Sequence, residues 1–142
     1  MKTKTKAYLC GRMSGIPQFN FPRFDERAAH WHSTGDWDIV SPAELDDPKT
    51  RVAALASPDG SPGSGSNNGE TWGDFLARDV KLIADEGIEA IICLEEWYLS
   101  KGGRLEVFIA RLLGLPILKD ADLQPVTAQE IKKAYGFLFE GV

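Results

Sequence analysis

The feature that most constrains the fold is an almost wholly apolar run, residues 88–94, that leads into a glycine-containing turn and then a helical pattern. Such a run is typical of a central strand in a parallel sheet, where both faces are buried. Residues 100–106 follow it with the sequence Ser-Lys-Gly-Gly-Arg-Leu-Glu. Because open α/β sheets bind ligands at strand-to-helix junctions of this kind, we expect a ligand site at this turn.

The chemistry of this turn suits an anion beside a carboxylate. Gly102 and Gly103 allow backbone amides to approach an anion, and the start of a helix adds partial positive charge. We expect Glu106 on the first turn of that helix, facing the loop, where it could attack or stabilise an electrophilic carbon. The structural alternative is that glutamate is favoured in a first helical turn by the helix dipole, and taken alone these residues favour that alternative.

A second loop of the same type follows a short apolar run at residues 7–10. Residues 11–15 read Gly-Arg-Met-Ser-Gly, so the loop offers the Arg12 guanidinium and the Ser14 hydroxyl. These groups suit phosphate recognition. Neither the spacing of a dinucleotide-binding loop nor that of a phosphate-binding P-loop occurs in the chain, which argues against nucleoside triphosphate hydrolysis.

Length and composition bound the class of protein. The 142 residues, 43% of them hydrophobic, fit one compact domain spanning 1–142. The net charge of −5 argues against a nucleic-acid groove but leaves a mononucleotide site open. We expect no membrane segment, a cytoplasmic protein, and no metal or cofactor. Cys10 and Cys93 lie in strand-like runs, so we interpret them as reduced structural residues.

Strand-like and helix-like segments alternate along the chain. The predicted strands are 7–10, 37–40, 88–94 and 115–118, and the predicted helices are 24–31, 72–83, 104–113 and 127–138, with a short helix from 41. Residues 41–44 and 127–130 both match capping boxes. This order predicts a single-domain three-layer α/β sandwich, with a parallel flavodoxin- or Rossmann-like sheet and helices on both faces.

Residues 57–69 consist entirely of Ser, Pro, Gly, Asn and Asp. This composition cannot bury apolar surface, so it predicts a flexible loop, which we interpret as a lid or insertion beside the site. A linker between two domains is the alternative. It is disfavoured because neither half of the chain holds enough apolar residues to fold alone.

Several of these motifs resemble a known family. Residues 8–15 are similar to the first strand and loop of the nucleoside 2-deoxyribosyltransferase superfamily, especially its 2'-deoxynucleoside 5'-phosphate N-hydrolase branch. The Ser-x-Gly-x-x-x-Glu spacing of residues 100–106 resembles the second loop of that branch. Within the superfamily the chain most resembles the DUF4406 family, whose Phe-Asn-x-Pro and Asn-Pro-Ala-Glu-like stretches correspond to residues 19–22 and 41–44.

The resemblance implies a role for each matching residue. Glu106 would be the nucleophile, Asp79 the acid that assists the leaving base, and Tyr8 the hydroxyl that orients Glu106. The residues that would bind substrate lie in the two loops: Gly11, Arg12, Met13, Ser14, Gly15, Ser100, Gly102 and Gly103. The implied activity is cleavage or transfer at the N-glycosidic bond of a (deoxy)nucleoside 5'-monophosphate. The alternative is a nucleotide-binding protein that uses the same crevice without turnover.

Other interpretations of these residues stay open. Asp79 could be a solvent-facing residue paired with Arg78 or Lys81, and Tyr8 could be a core aromatic. The sequence departs from the family pattern at Arg12, where a small residue or proline is common, and in its more basic second loop.

Further polar and aromatic residues carry less weight. The pair Trp97-Tyr98 could stack on a base, although core packing is the commoner role of tryptophan. His30 and His32 are spaced too poorly for a metal pair and should be exposed. The acidic pairs 46–47 and 95–96 could hold magnesium but more often form a solvated face.

The C-terminal segment raises the question of assembly. Residues 134–139 are mostly apolar, and together with the four tryptophans they exceed what one core easily hides. A homo-oligomer, most simply a two-fold dimer, would bury this surface, and the resemblance implies the same. The alternative is that the C-terminal helix folds back on its own sheet.

Overall fold

The chain folds around a four-stranded parallel sheet, described here from a computed structural model that defines residues 3–61 and 71–141. The strands are β1 Thr5–Cys10, β2 Trp37–Val40, β3 Ala90–Cys93 and β4 Ile117–Lys119. Their order is β2-β1-β3-β4, and every neighbouring pair is parallel. This is the order of the first four strands of a flavodoxin-like sheet, so the predicted fold class is confirmed.

Helices connect the strands. They are α1 Phe21–Ser33, α2 Pro42–Leu45, α3 Pro48–Leu55, α4 Trp72–Asp85, α5 Lys101–Leu112 and α6 Ala128–Tyr135. Short 3-10 helices lie at Pro17–Asn20, Trp97–Leu99 and Gly136–Phe139. The prediction of a strand at 37–40 matches both ends of β2. β3 is shorter than the strand predicted at 88–94, although Ile88 and Leu94 at the two ends of the predicted range are buried.

The alternation of side chains along β1 separates two cores. Ala7 and Leu9 pack with Phe24 and Trp31 of α1 on one face of the sheet. Tyr8 and Cys10 point to the opposite face, where α4, α5 and α6 contribute side chains such as Val107. Helices therefore cover both faces, as the three-layer prediction required.

The capping box predicted at residues 41–44 is wrong. Ser41 precedes α2, but its hydroxyl makes no capping hydrogen bond, and its buried Oγ has no partner among the described residues. The helix instead starts on a backbone bond from Glu44 N to Ser41 O at 3.0 Å. Pro42 fixes a helical φ at the first position, so the turn forms without a side-chain cap.

The other capping motifs differ from expectation in a simple way. Thr127 caps α6 by accepting a hydrogen bond from Glu130 N at 3.1 Å, but the Glu130 side chain accepts one from Lys119 instead of closing the box. A complete capping box that the sequence analysis did not single out starts α4, between Thr71 and Asp74. This box fixes the first turn of the helix that carries Asp79.

The segment predicted to be flexible, 57–69, is anchored at its start. Ser57 is buried, and its carbonyl accepts a hydrogen bond from Gln18 N at 2.9 Å. The carbonyl of Gly60 accepts one from Gly15 N at 3.0 Å. Backbone hydrogen bonds therefore hold residues 57 and 60 against the segment that follows β1. Residues 62–69 lie outside the described residues, and their flexibility stays a prediction.

Two findings bear on the class of protein. Cys10 and Cys93 are free and buried, as expected of structural cysteines. In the described parts of the chain, no helix has the length and apolarity needed to cross a membrane.

Candidate active site

A cavity of about 550 Å³ lies where the loops after β1, β2 and β3 meet. Cys10 and Cys93 are register partners, so the loops that follow β1 and β3 emerge side by side. Most of the residues predicted for the site line this cavity: Gly11, Met13, Ser14, Asp79, Ser100, Gly102, Gly103 and Glu106. The cavity therefore lies at the strand-to-helix junctions where open α/β sheets bind ligands, and binding of a ligand there stays a prediction.

Glu106 lies on the second turn of α5, and the prediction of a first-turn position was wrong. The helix begins at Lys101, three residues earlier than expected, because the Ser100 hydroxyl accepts a hydrogen bond from Gly103 N at 2.9 Å and caps it. Gly103, Glu106 and Val107 share the buried face of this helix. Since Glu106 is only 5% exposed and lies beyond the first turn, the helix dipole does not account for it.

Tyr8 is the hydrogen-bond donor to Glu106. Its side chain is fully buried on β1, and its hydroxyl donates to Glu106 Oε2. Burial, followed by the charge of Glu106, raises the pKa of Tyr8 well above its ordinary value, so the hydroxyl keeps its proton. Tyr8 is thus a core aromatic and a donor at once, and the two interpretations of it are compatible.

Asp79 approaches the same point from α4. It is spaced one helical turn from Phe75 and from Ile83, which turns it toward the interior, and it is 8% exposed. Arg78 Nε donates to Asp79 Oδ1 at 3.0 Å. Pairing with Arg78 was the structural alternative for this residue, but that alternative placed Asp79 in solvent, and the side chain is buried.

The two carboxyl groups affect each other's ionisation. Burial, and then the charge of Asp79, raises the pKa of Glu106 to about 8. Burial also raises the pKa of Asp79, although the neighbouring Arg78 opposes that effect. At neutral pH Glu106 is therefore mainly protonated in the ligand-free protein. Two close carboxyl groups that share a proton are typical of acid–base sites.

The loop after β1 contributes less to the cavity than expected. In the described chain, Arg12 and Gly15 are not among the lining residues. Arg12 Nη1 lies 3.6 Å from Glu96 Oε2, and Gly15 N donates to Gly60 O. Ser14 does line the cavity and is exposed.

Two of the predicted anion-binding glycines have a packing role that the sequence analysis did not foresee. A Cβ on Gly103 would lie 2.8 Å from the carbonyl oxygen of Trp97. A Cβ on Gly11 would lie 2.9 Å from Leu94 Cδ1. A Cβ on Gly102, by contrast, would meet only ordinary contacts, the nearest at 3.6 Å. Close packing therefore requires Gly103 and Gly11, whereas Gly102 is free to serve a ligand.

The apolar wall of the cavity was not recognised from the sequence. It comprises Phe19, Phe21, Trp72, Phe75, Leu76 and Leu99. The apolar residues of α4 do not share one environment: Trp72 at the start of the helix is 53% exposed, whereas Ile83 near its end is buried. Phe19 enters the wall from a left-handed backbone conformation with φ of 52°. Such strain in a non-glycine residue is concentrated at functional sites.

Cations in the cavity were also missed. Arg78 and Lys101 both line it, and Lys101 occupies the first position of α5. Each sits directly beside a residue that the sequence did single out, Asp79 and Ser100 respectively. The signal was therefore present in the sequence, but nothing in the residue pattern ranks these cations above Arg12.

The remaining candidates lie elsewhere or have other partners. Trp97 packs in the core with Tyr8, and Tyr98 is exposed. Neither residue is among the described residues that line the cavity. Glu95 pairs with Arg23 at 2.9 Å.

The side chains considered as metal ligands also have other partners or are exposed. Asp46 pairs with Arg78 at 2.6 Å, and Asp47 caps α3. His30 and His32 are exposed on α1, as expected. Over 3–61 and 71–141 no three histidine, cysteine or acidic side chains group as a metal site would require.

The fold and the site together define a class: a small α/β sandwich with a cavity at the carboxyl edge of its parallel sheet. Glu106 and Asp79 line this cavity, whereas Tyr8 contacts Glu106 from the core and is not among the described lining residues. The chain matches the family model for DUF4406, a domain of unknown function, over residues 5–119, and it belongs to that family. The match contains all four strands and the cavity residues, and α6 lies beyond it. Searches of curated proteins and of solved structures found no match to the chain.

Proposed function

We propose that this protein cleaves or transfers the N-glycosidic bond of a (deoxy)nucleoside 5'-monophosphate, as a relative of the nucleoside 2-deoxyribosyltransferases, with Glu106 as the nucleophile. The observation that carries the proposal is the buried set Tyr8, Glu106 and Asp79 beside the capped start of α5. A buried carboxyl pair in a cavity with polar and apolar walls suits reaction at a sugar carbon.

In the proposed reaction, a carboxylate oxygen of Glu106 attacks the anomeric carbon of the sugar. The bond from that carbon to the base breaks, the electron pair goes to the base nitrogen, and the Asp79 carboxyl group donates a proton to the departing base. Water, or a second base, then attacks the same carbon, gives its proton to the Asp79 carboxylate and releases Glu106 from its ester, which restores both groups. Hydrolysis and transfer differ only in this last acceptor.

The protonation of the ligand-free pair adds one requirement. Attack needs an ionised Glu106 and a protonated Asp79, whereas the resting proton lies mainly on Glu106. One proton must therefore pass from Glu106 to Asp79 before the bond breaks. The hydrogen bond from Tyr8 to Glu106 supports this step, because it stabilises the glutamate once it is ionised.

The two ends of the cavity suggest how a nucleotide would lie. Ser14, Lys101 and the backbone amides at the start of α5 supply donors for a phosphate. Phe21 and Phe75 on the apolar wall suit a flat aromatic base. In this arrangement Lys101 supplies the positive charge that the sequence analysis expected from Arg12.

A second candidate is a nucleotide-binding protein without turnover, and the resting proton on Glu106 favours it. Incubation with a panel of deoxy- and ribonucleoside monophosphates and NAD, followed by chromatography of the free base, separates the two. Release of base by the native protein and none by Glu106→Gln supports the proposed enzyme. Tight binding of a nucleotide by both, with no base released, supports the binding protein.

We also propose that the protein forms a homodimer through an apolar surface, here called the C-terminal patch. Its exposed members are Phe108 and Leu112 on α5, Leu113 directly after that helix, and Phe137, Leu138 and Phe139 near the C-terminus. Phe139 is 72% exposed. Phe108, Phe137 and Leu138 line one common groove. Exposed apolar surface is typical of subunit contacts, and two-fold pairing is the simplest closed assembly.

A further inference from the structure

Arg78 makes two ion pairs at the edge of the active site. Its Nε donates to Asp79 Oδ1 at 3.0 Å, and its Nη1 donates to Asp46 Oδ1 at 2.6 Å. Asp46 follows α2, so the guanidinium ties α4 to the loop between α2 and α3. Both carboxylates are largely buried, with side chains 11% and 10% exposed, whereas Arg78 is 31% exposed and lines the cavity.

Asp79 therefore faces charged or titratable groups on three sides. Arg78 adjoins it on α4, Tyr8 faces it from β1, and Glu106 faces it from α5. Asp46 reaches it only through Arg78. Glu106 faces Asp79, Tyr8 and Cys10. Within this set Arg78 is the one cation that acts on Asp79, and its contact is to Asp79 rather than to Glu106.

We propose that Arg78 is a positioning residue that decides which carboxyl group of the acidic pair, Asp79 and Glu106, holds the proton. Anchored by Asp46, it keeps Asp79 as the carboxylate in the ligand-free protein and leaves the proton on Glu106. The physical reason is proximity: a guanidinium in direct contact with one carboxylate of a close pair stabilises the charge on that member.

The consequence for catalysis rests on the proposed function. Cleavage needs the opposite arrangement, so one proton has to leave a Glu106 oxygen and bind an Asp79 oxygen, with no change in total charge. This transfer is opposed as long as Arg78 stays paired with Asp79. Because Arg78 lines the cavity, an anionic group of a bound ligand competes with Asp79 for the guanidinium and so permits the transfer.

The test is a carbon-13 NMR titration of the side-chain carboxyl groups in the ligand-free protein, with the Asp79 and Glu106 signals assigned by Asp79→Asn and Glu106→Gln. In the native protein Asp79 is expected to titrate at a lower pH than Glu106. In Arg78→Met the Asp79 midpoint should rise by about one pH unit or more, since an adjacent opposite charge lowers a carboxyl pKa by that amount. Arg78→Lys keeps the charge and should give a smaller rise.

Two further variants keep the test decisive. Arg78→Gln removes the cation but keeps a hydrogen-bond donor, so it should also raise the Asp79 midpoint; it carries the test if Arg78→Met does not fold. Arg111→Met, at an exposed position near the end of α5, is the matched control and should change neither midpoint. An Asp79 midpoint that is the same in Arg78→Met and the native protein, or one above that of Glu106 in the native protein, overturns the proposal.

The titration needs no substrate, so it separates this inference from the proposed activity. If the order of titration depends on Arg78 but no nucleotide loses its base, the proton assignment stands and the glycosidase proposal fails. If base is released but the order does not depend on Arg78, the activity stands and Arg78 is only a structural ion-pair partner.

Discussion

Replacing Glu106 by glutamine should abolish activity and yet stabilise the protein near neutral pH. The pKa of Glu106 in the folded protein is about 8, against an ordinary value of 4.5. A raised folded pKa means that the folded state holds the proton more tightly than the unfolded state. The stability this provides is complete below pH 4.5 and is lost progressively as the pH rises from 4.5 to 8.

The size of the effect follows from the same values. Each pH unit in that interval lowers the free energy of unfolding by about 1.4 kcal/mol, so at pH 7 the native protein has lost on the order of 3 kcal/mol that Glu106→Gln retains. For a chain of this length, that corresponds to a melting temperature higher by on the order of 10 °C in the variant. Glutamine can still accept the Tyr8 hydrogen bond, so the change with pH isolates the buried charge.

Urea unfolding at pH 5, 6, 7 and 8 provides the assay, with free energies extrapolated to water. The advantage of Glu106→Gln over the native protein should grow steadily across this series. Glu140→Gln, at an exposed position near the C-terminus, is the control and should follow the native protein. An advantage that is constant from pH 5 to 8 would refute the reasoning, because it would show that Glu106 ionises as readily in the folded chain as in the unfolded one.

Four further predictions follow from the site and the C-terminal patch. For the susceptible nucleotide, kcat/KM should fall about tenfold per pH unit above pH 8, where the acidic pair loses its last proton; a rate that keeps rising there would exclude a shared proton. Lys101→Met should weaken nucleotide binding about tenfold in calorimetry while leaving the affinity for the unphosphorylated nucleoside unchanged. An equal loss of affinity for the nucleotide and the nucleoside would show that the phosphate does not bind at the start of α5. Gly103→Ala should lower the melting temperature clearly more than Gly102→Ala, since only the former meets a backbone oxygen, at 2.8 Å; equal effects would contradict that contact. Truncation after Pro125 should reduce both assembly and base release, as checked by light scattering, whereas an active native monomer at micromolar concentration would rule out the dimer.

The sequence predicted the fold well because each element has its own local signal. The apolar run at 88–94 and the alternation along β1 reflect burial, which any parallel sheet imposes on its central strands. Helix boundaries were less accurate. The start of α5 was placed three residues late because the Ser100 hydroxyl caps it and two glycines, poor helix formers, occupy its first turn.

The acidic pair could be anticipated only in part. The glycine turn indicated Glu106, but the approach of Asp79 and Tyr8 to it depends on how α4 and β1 pack, which no local pattern encodes. The choice of cation had the same difficulty. Arg12 and Lys101 each adjoin a glycine loop, and only tertiary structure directs Arg12 to Glu96 and Lys101 to the cavity.

The apolar wall of the cavity was not recognised for a related reason. A helical stripe such as that of α4 reads the same whether it faces a core or a cavity, so the exposure of Trp72 could not be read from its spacing.

The central claim is that Glu106 attacks the sugar, and trapping the covalent intermediate tests it most directly. The protein would be incubated with a 2'-fluoro analogue of the nucleotide that loses its base fastest, since an electron-withdrawing group at that position disfavours the oxocarbenium-like transition state and slows release of the sugar. Intact-mass measurement and peptide mapping should then find one sugar phosphate per chain, attached to Glu106 and missing in Glu106→Gln. Base release with the sugar phosphate attached to a different residue, or with none attached at all, would contradict the account.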